Sequence, residues 1–308
     1  MAAALLALLI DAAFGEPRLL WARLGHPITW LGAFAERLEA QFNRGEQRLA
    51  RGAFTWLRVV SFAALTGLLL QLILLALPWG WVWLGLVASV GLAARSLDQH
   101  VRAVALGLDR DLQAGRDAVS QIVGRDPEAL DEAGVARAAV ESLAENASDG
   151  LVAPLFWFVL LGLPGLFAYK AINTLDSMWG HRTERFERFG KIAARVDDGV
   201  NWVPARLTAF WVSLSSGTLL PLFAAFRDGP KHRSINAGWP EAAFAAALGL
   251  SLAGPRAYGG EMTEDAPMGR GTRQATSRHI RSALRLFWYV WGLAILTCVG
   301  VLAVRLLA

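Results

Sequence analysis

Two stretches of this chain carry carboxylates and amides at spacings that chemistry can use. In VESLAENASDGLVAPLF, residues 140–156, Glu141 and Glu145 stand four apart, with Asn146 and Asp149 just beyond. That spacing puts both acids on one helix face, where they repel unless something positive lies between them. Clustered oxygen ligands are what Mg2+ selects. The plain alternative is a solvated helix face closed by an Asp-Gly turn. In YKAINTLDSMWGHRTERFERFGKIAARVDDGVNWVPAR, residues 169–206, Lys170, Asn173, Asp176 and Ser177 form one helical stripe leaving an apolar segment. Ionisable groups at membrane depth are costly, so they usually mark function. Farther on, Asp197 and Asp198, then Asn201, Trp202, Pro204 and Arg206, form a second polar cluster of metal–phosphate character.

Other residues carry weaker signals. Asp11, Gly15 and Glu16 precede His26-Pro27, and a lone His is more often structural than a ligand. Gly115-Arg116-Asp117 and Gly124-Arg125-Asp126 repeat a triplet that is either a pair of surface ion pairs or two arginines for phosphate. Ser234, Asn236, Trp239 and Glu241 precede a short Ala-rich helix. The Tyr258-Gly259-Gly260 loop allows close approach to a ligand. No G-x-x-x-x-G-K-[ST], H-E-x-x-H or G-x-S-x-G occurs, so the common soluble ATPase, metalloprotease and hydrolase motifs are absent.

The elements that must position these groups are apolar. The 308 residues are 55% hydrophobic and only 18% charged, against about 25% charged in an ordinary soluble domain. This balance argues against a soluble enzyme, a disordered chain or a coiled coil. One cysteine, Cys298, excludes a disulfide scaffold or a Cys-based zinc module. The net charge of +4 is spread along the chain, with no arm for nucleic acid. Windows 59–77, 151–169, 207–226 and 286–304 are long and apolar enough to cross a bilayer. Residues 79–94 read as the return arm of a hairpin whose tip is Pro78-Trp79-Gly80. Residues 1–10 lack a basic flank, so they read as a short helix against the membrane domain rather than a signal peptide. The expected fold is all-α: one polytopic membrane domain over 1–308, with about four to five membrane segments and helical loops. Both flanks of the first hairpin are Arg-rich and so cytoplasmic. Straight crossings at 151–169 and 207–226 would strand the basic stretch 170–206 outside. A break at Gly162-Leu163-Pro164-Gly165 that makes the first of these re-entrant resolves the conflict.

With these residues in view, the chain resembles the adenosylcobinamide-phosphate synthase (CobD/CbiB) family of cobalamin biosynthesis. The likeness runs through most of the chain. Its most specific parts are Gly124-Arg125-Asp126, the ESLAENASDGLVAPLF string, YKAINTLDSMWG and ARVDDGVNWVPAR. One departure is Ala253-Gly254, where the family pattern has a Gly-Gly pair. The resemblance implies a multi-pass enzyme of the cell inner membrane, with its polar loops mainly cytoplasmic. It would join the propionate carboxylate of adenosylcobyric acid to the amine of (R)-1-aminopropan-2-ol or its O-phosphate. ATP and Mg2+ are the implied cofactors, and other cobalamin-assembly enzymes are implied partners. Activating a carboxylate with ATP calls for metal ligands, cations and a base for the amine.

The expected roles follow. Glu145, Asp149, Asp176 and Asp198 are catalytic carboxylates, and Asp149, Asp176, Asp197 and Asp198 are metal ligands. Lys170 is catalytic and, with Arg125, Arg182, Arg195 and Arg206, holds phosphates. Asn146, Asn173, Asn201 and Asn236 orient substrate, with Asp11 and His26 in the same binding set. Trp202, Trp239 and Tyr258 offer flat surface to a corrin ring. Two rivals stand beside this reading. A non-catalytic AmpE-like signalling relative would have no reason to keep membrane-edge charges. A transporter would show internal repeats, and none is visible.

Overall fold

The computed structural model describes the chain except Pro17, Arg125, Asp126, Arg182, Pro255, Gly259, Gly260, Glu264 and Ala308. The side chains of residues 18–20, 256–258 and 261–263 are likewise outside the description. Arg125, Arg182 and the Tyr258 side chain, all expected at the site, therefore lie outside the described residues. The chain is an all-α, polytopic membrane protein, and among the described residues four helical stretches are long and apolar enough to cross a bilayer: Arg48–Ala76, Gly80–Leu108, Glu132–Trp179 and Ser277–Leu307. It divides into two compact units, one of residues 1–93, 153–201 and 301–308, the other of 94–152 and 202–300.

The first unit holds α1 (Ala2–Phe14), α2 (Arg18–Leu24), α3 (Pro27–Phe42), α4 (Arg48–Ala76), α5 (Gly80–Ser89), α9 (Ala153–Trp179) and α10 (Lys191–Val200). Leu77 and Pro78 end α4, and Trp79 takes a left-handed φ of 59° to start the return arm, as the hairpin reading expects. The apolar N-terminal helix packs on that arm: a Cβ on Gly85 would stand 2.9 Å from the Ala3 carbonyl oxygen.

The helices α4 and α9 form the core of this unit. Ala35, Val59, Ala63, Ala171, Leu175 and Trp179 are buried together. Gly67 brings the backbones close, since a Cβ there would lie 2.6 Å from the Leu163 carbonyl oxygen. The expected break in α9 is present at Gly162, with φ 69° and ψ −152°. Only glycine reaches this conformation at little cost. Gln71 of α4 then accepts from the Leu163 amide through Oε1 at 2.9 Å, satisfying a donor freed inside an apolar region. The bend is sharp. A Cβ on Gly165 would stand 2.5 Å from the Trp157 carbonyl oxygen, although eight residues of straight helix span about 12 Å. Trp157 Nε1 also donates to the Val200 carbonyl at the end of α10, 3.2 Å away. The chain thus doubles back at Gly162, the geometry that a re-entrant segment needs.

The second unit holds α6 (Ala94–Leu108), α7 (Leu112–Val119), α8 (Glu132–Asn146), α11 (Trp202–Ser216), α12 (Leu220–Asp228), α13 (Gly238–Leu248) and most of α14 (Ser277–Leu307). The last turn of α8 runs into a π-helix, Ala147–Val152. Among the described residues the strands form two small antiparallel ribbons, β1 (Leu252–Ala253) with β4 (Pro267–Met268) and β2 (Arg256–Tyr258) with β3 (Glu261–Thr263), beside an isolated bridge between Leu250 and Thr272. The expected span 207–226 is corrected here. It is two short helices, α11 and α12, separated at Gly217 (φ 68°). Ser213 fixes the turn by donating to Thr218 O and accepting from Leu222 N, both at 3.0 Å. Ala253 sits at φ 52°, in the left-handed region that glycine reaches most readily. Its amide donates to the buried Glu141 Oε1 at 2.7 Å.

Candidate functional site

The site is built where α9 ends and α10 begins. Gly180 closes α9, its amide bonding back to Asp176 O. A Cβ on Gly190, before α10, would fall 1.7 Å from Trp179 O, so only glycine allows the return chain this close. Phe189 and Trp179 lock the loop edge-to-face at 5.1 Å, both fully buried. On the outer side, Arg185 grips the buried Glu39 of α3 through Nε at 3.0 Å and Nη2 at 2.6 Å. That pair holds the Glu39 carboxyl below its ordinary value against its own burial, which acts to raise it.

Within this frame the polar end of α9 faces α10. Tyr169 donates to Asn201 Oδ1 at 3.0 Å, and Asn201 Nδ2 donates to Asp197 Oδ2 at 3.0 Å. The other oxygen, Asp197 Oδ1, is buried with no hydrogen-bond partner among the described residues. Burial first, and Asp176 second, push the Asp197 carboxyl up to about 7, with a smaller contribution from Asp198; Asn201 and Asn173 act against the rise. Asp176, Asp197, Asp198, Asn173, Asn201 and Tyr169 thus gather at one helix junction. A carboxyl near neutrality beside a second carboxylate can exchange protons at physiological pH.

Other expected site residues fall elsewhere. Lys170 and His26 line one apolar cavity of this same unit. His26 caps α3, its Nδ1 accepting from Ile28 N at 3.2 Å. Arg195 is exposed on α10, and Asp11 is buried in α1. In the second unit Glu145 and Asn146 are exposed at the end of α8, and Asp149 lies on the π-helix. The Asn146 amide folds back onto its own helix, donating to Ser142 O at 2.9 Å. Beside it, Ser148 Oγ is buried with no hydrogen-bond partner among the described residues. Arg206 lies between two indoles, its guanidinium carbon 4.2 Å from the Trp202 ring centre and 4.3 Å from that of Trp239. Its Nη1 donates to Asn236 Oδ1 at 3.0 Å. Trp239 is buried, with Phe226 against it edge-to-face at 5.0 Å, so Arg206 rather than an open ring face meets incoming molecules there.

Three anchors escaped the sequence reading, each with at least one partner on another element. Glu39–Arg185 is one. The second is Asp98, buried between Arg102 and the Trp288 indole. The third is Asp228, held down at about 2 chiefly by Arg227, with Lys231 and the Gly269 amide adding to it.

Among the described residues, no group of three or more His, Cys, Asp or Glu is gathered to enclose a metal ion. Mg2+ asks for less: one or two carboxylates, with water and substrate phosphates completing its shell. Asp176 and Asp198 at the α9–α10 junction fit that donor set, and the two carboxylates act on each other there.

Comparison with known proteins decides the family. Residues 4–287 match the CobD/Cbib protein family model. The chain belongs to the CobD/CbiB family. It is 49% identical over 304 residues to cobalamin biosynthesis protein CobD of Brucella suis, covering 94% of this chain and 92% of that one. It is 52% identical over 255 residues to the CobD protein of Rhodobacter capsulatus, covering 81% and 80%. A Sinorhizobium CobD protein is 45% identical over 299 residues, covering 92% of each. No solved structure matches the chain. This CobD/CbiB-family membrane protein therefore has its place in cobalamin biosynthesis.

Proposed function

We propose that the chain is an amide-forming ligase. It joins the propionate carboxylate of adenosylcobyric acid to the amine of (R)-1-aminopropan-2-ol or its O-phosphate, consuming ATP. The product is adenosylcobinamide or its phosphate. The observation that carries this reading is the Asp197 carboxyl at the α9–α10 junction, with one buried oxygen that has no hydrogen-bond partner among the described residues, in a cobalamin biosynthesis family; burial pushes that carboxyl up. A carboxylate is a poor acyl donor, so ATP would phosphorylate it to an acyl phosphate, releasing ADP, and the deprotonated amine would then displace phosphate. Mg2+, held by Asp176 and Asp198, would neutralise the ATP phosphates and template them.

The protein's own part is to orient and to move a proton. Asp197 Oδ1 accepts the proton that the attacking amine gives up. Asn201, itself held by Tyr169, keeps that carboxylate in one rotamer through Oδ2. Arg206, stiffened between Trp202 and Trp239, offers a cation in the second unit for a phosphate or a peripheral carboxylate. We place the enzyme in the cell inner membrane with its basic loops in the cytoplasm, on the positive-inside rule.

The test is an assay on purified protein in detergent or lipid. It contains adenosylcobyric acid, aminopropanol phosphate, ATP and Mg2+, with mass spectrometry of the corrinoid. We expect a corrinoid heavier by the condensed amine, only when ATP is present. Asp197→Asn and Asp176→Asn should each lose at least a hundredfold in rate. Condensation without ATP, or full rates in both variants, would overturn the reading.

A further inference from the structure

The first unit contains a cavity of about 500 Å3 that this chemistry does not use. It is the size of a small-molecule site, and nearly all of its wall is apolar. Its polar groups lie at one end. Along α4 the wall runs Phe62, Thr66, Leu70, and along α9 it runs Lys170, Phe167, Leu166. The two helices are antiparallel, because Gly67 opposes Leu163 while Gly52 opposes Phe189, which packs on Trp179 at the far end of α9. Both series therefore run the same way, from the end nearest the charged start of α4 toward the middle of its apolar stretch. Phe62 to Leu70 covers about 12 Å of helix.

Three donors gather at the shallow end. Lys170 offers an ammonium. Trp21 lines the cavity, and its Nε1 is buried with no hydrogen-bond partner among the described residues. His26 uses Nδ1 as an acceptor from Ile28 N, so its proton sits on Nε2. Burial lowers the His26 pKa most, Glu16 raises it and Lys170 lowers it. The mouth thus pairs one ammonium and two ring N–H donors with a carboxylate that acts on His26.

We propose that this cavity holds one acyl chain of a phosphatidylethanolamine molecule, with its phosphate on Lys170, His26 and Trp21 and its headgroup ammonium toward Glu16. Leaving the bilayer gains a lipid tail no hydrophobic energy, so shape and headgroup must select the occupant. A deep apolar slot with donors at one end matches a chain and its phosphate. The balanced charge of the mouth matches a zwitterionic headgroup with an amine. Aminopropanol phosphate shares that headgroup chemistry but has nothing to fill the apolar depth.

Native mass spectrometry of protein extracted in mild detergent tests this, followed by exchange into nanodiscs of phosphatidylethanolamine, phosphatidylglycerol or phosphatidylcholine. We expect one retained phospholipid, with phosphatidylethanolamine enriched at least threefold over the membrane it came from. Thr66→Trp fills the slot from an exposed position and should abolish retention. Lys170→Met should weaken it at least tenfold without closing the slot, and it serves where the Trp variant does not fold. No retained lipid in the unaltered protein, or equal retention in a folded Thr66→Trp, would overturn the proposal. Equal retention of phosphatidylglycerol would overturn its headgroup assignment. Displacement of the lipid by aminopropanol phosphate alone would make the donors a substrate site instead. None of these readings depends on ligase activity.

Discussion

Replacing Asp197 with asparagine should make the protein more stable and less active, and the stability gain should depend on pH. The carboxyl sits near 7 in the folded chain against an ordinary value of 3.8. Below about pH 4 it is protonated in both states and costs nothing. Between 3.8 and 7 the unfolded chain ionises while the folded one keeps its proton, so stability falls as pH rises. Above 7 the whole cost is present. The gap corresponds to roughly 4 kcal/mol at 1.36 kcal/mol per tenfold in proton affinity. Solvent at the edge of the cluster screens part of this, leaving about 1–2 kcal/mol. The aqueous reference holds because α10 lies outside the four long apolar stretches. Asparagine keeps an oxygen for Asn201 and carries no charge. Asp197→Asn should therefore melt a few degrees higher than the unaltered protein at pH 8, with only about a quarter of that gain left at pH 4.5. Thermal unfolding in detergent with EDTA, which strips any divalent cation from the carboxylates, measures this. A gain of the same size at both pH values, or none at pH 8, would refute the burial argument.

Gln71→Leu should cost about 1–2 kcal/mol, because it orphans the Leu163 amide that Gln71 Oε1 now accepts from; the readout is thermal stability in detergent. Ala253→Gly should gain about 0.5–1 kcal/mol by relieving a left-handed backbone at φ 52°, read in the same melt. If the bend at Gly162 makes the 153–179 segment re-entrant, a cysteine at the exposed position Lys191 reacts with an impermeant maleimide only in inverted vesicles. Labelling in intact cells would show a straight crossing.

Where sequence reading succeeded, one local feature governed the outcome. Pro78-Trp79-Gly80 ends α4 because a proline beyond its last turn and a left-handed residue after it cannot continue the helix. Gly162 and Pro164 break α9 for a similar reason. Ala253, noticed only as a departure from a glycine pair, proved to occupy a glycine conformation. The 207–226 window failed because mean hydropathy does not register Ser213 bonding across a turn at Gly217. The stripe Lys170, Asn173, Asp176 was visible as a stripe. Its division was not, since which helix faces each residue is tertiary information: Lys170 lines the cavity with His26, while Asn173 acts on Asp197. The approach of Asp176 to Asp197 depends on two glycines and a buried aromatic pair between them in the chain.

That loop sets the energetic condition for the site. Holding Asp197 ionised near Asp176 is unfavourable, so something must keep α10 against α9. Trp179 and Phe189, each fully buried, contribute roughly 1.5–3 kcal/mol apiece. The sum, about 3–6 kcal/mol, exceeds the screened cost of the ionised carboxyl, about 1–2 kcal/mol. The Arg185–Glu39 pair then fixes the loop to α3, and Gly190 permits the close return that aromatic packing rewards. The proton affinity of Asp197 is thus set by aromatic residues that never meet a substrate. Phe189→Ala should let α10 move away, bring Asp197 back toward an ordinary carboxyl, and shift the acid limb of the pH–rate profile downward as the rate falls. A rate loss with that limb unmoved would show that Phe189 supports the fold without tuning the carboxyl.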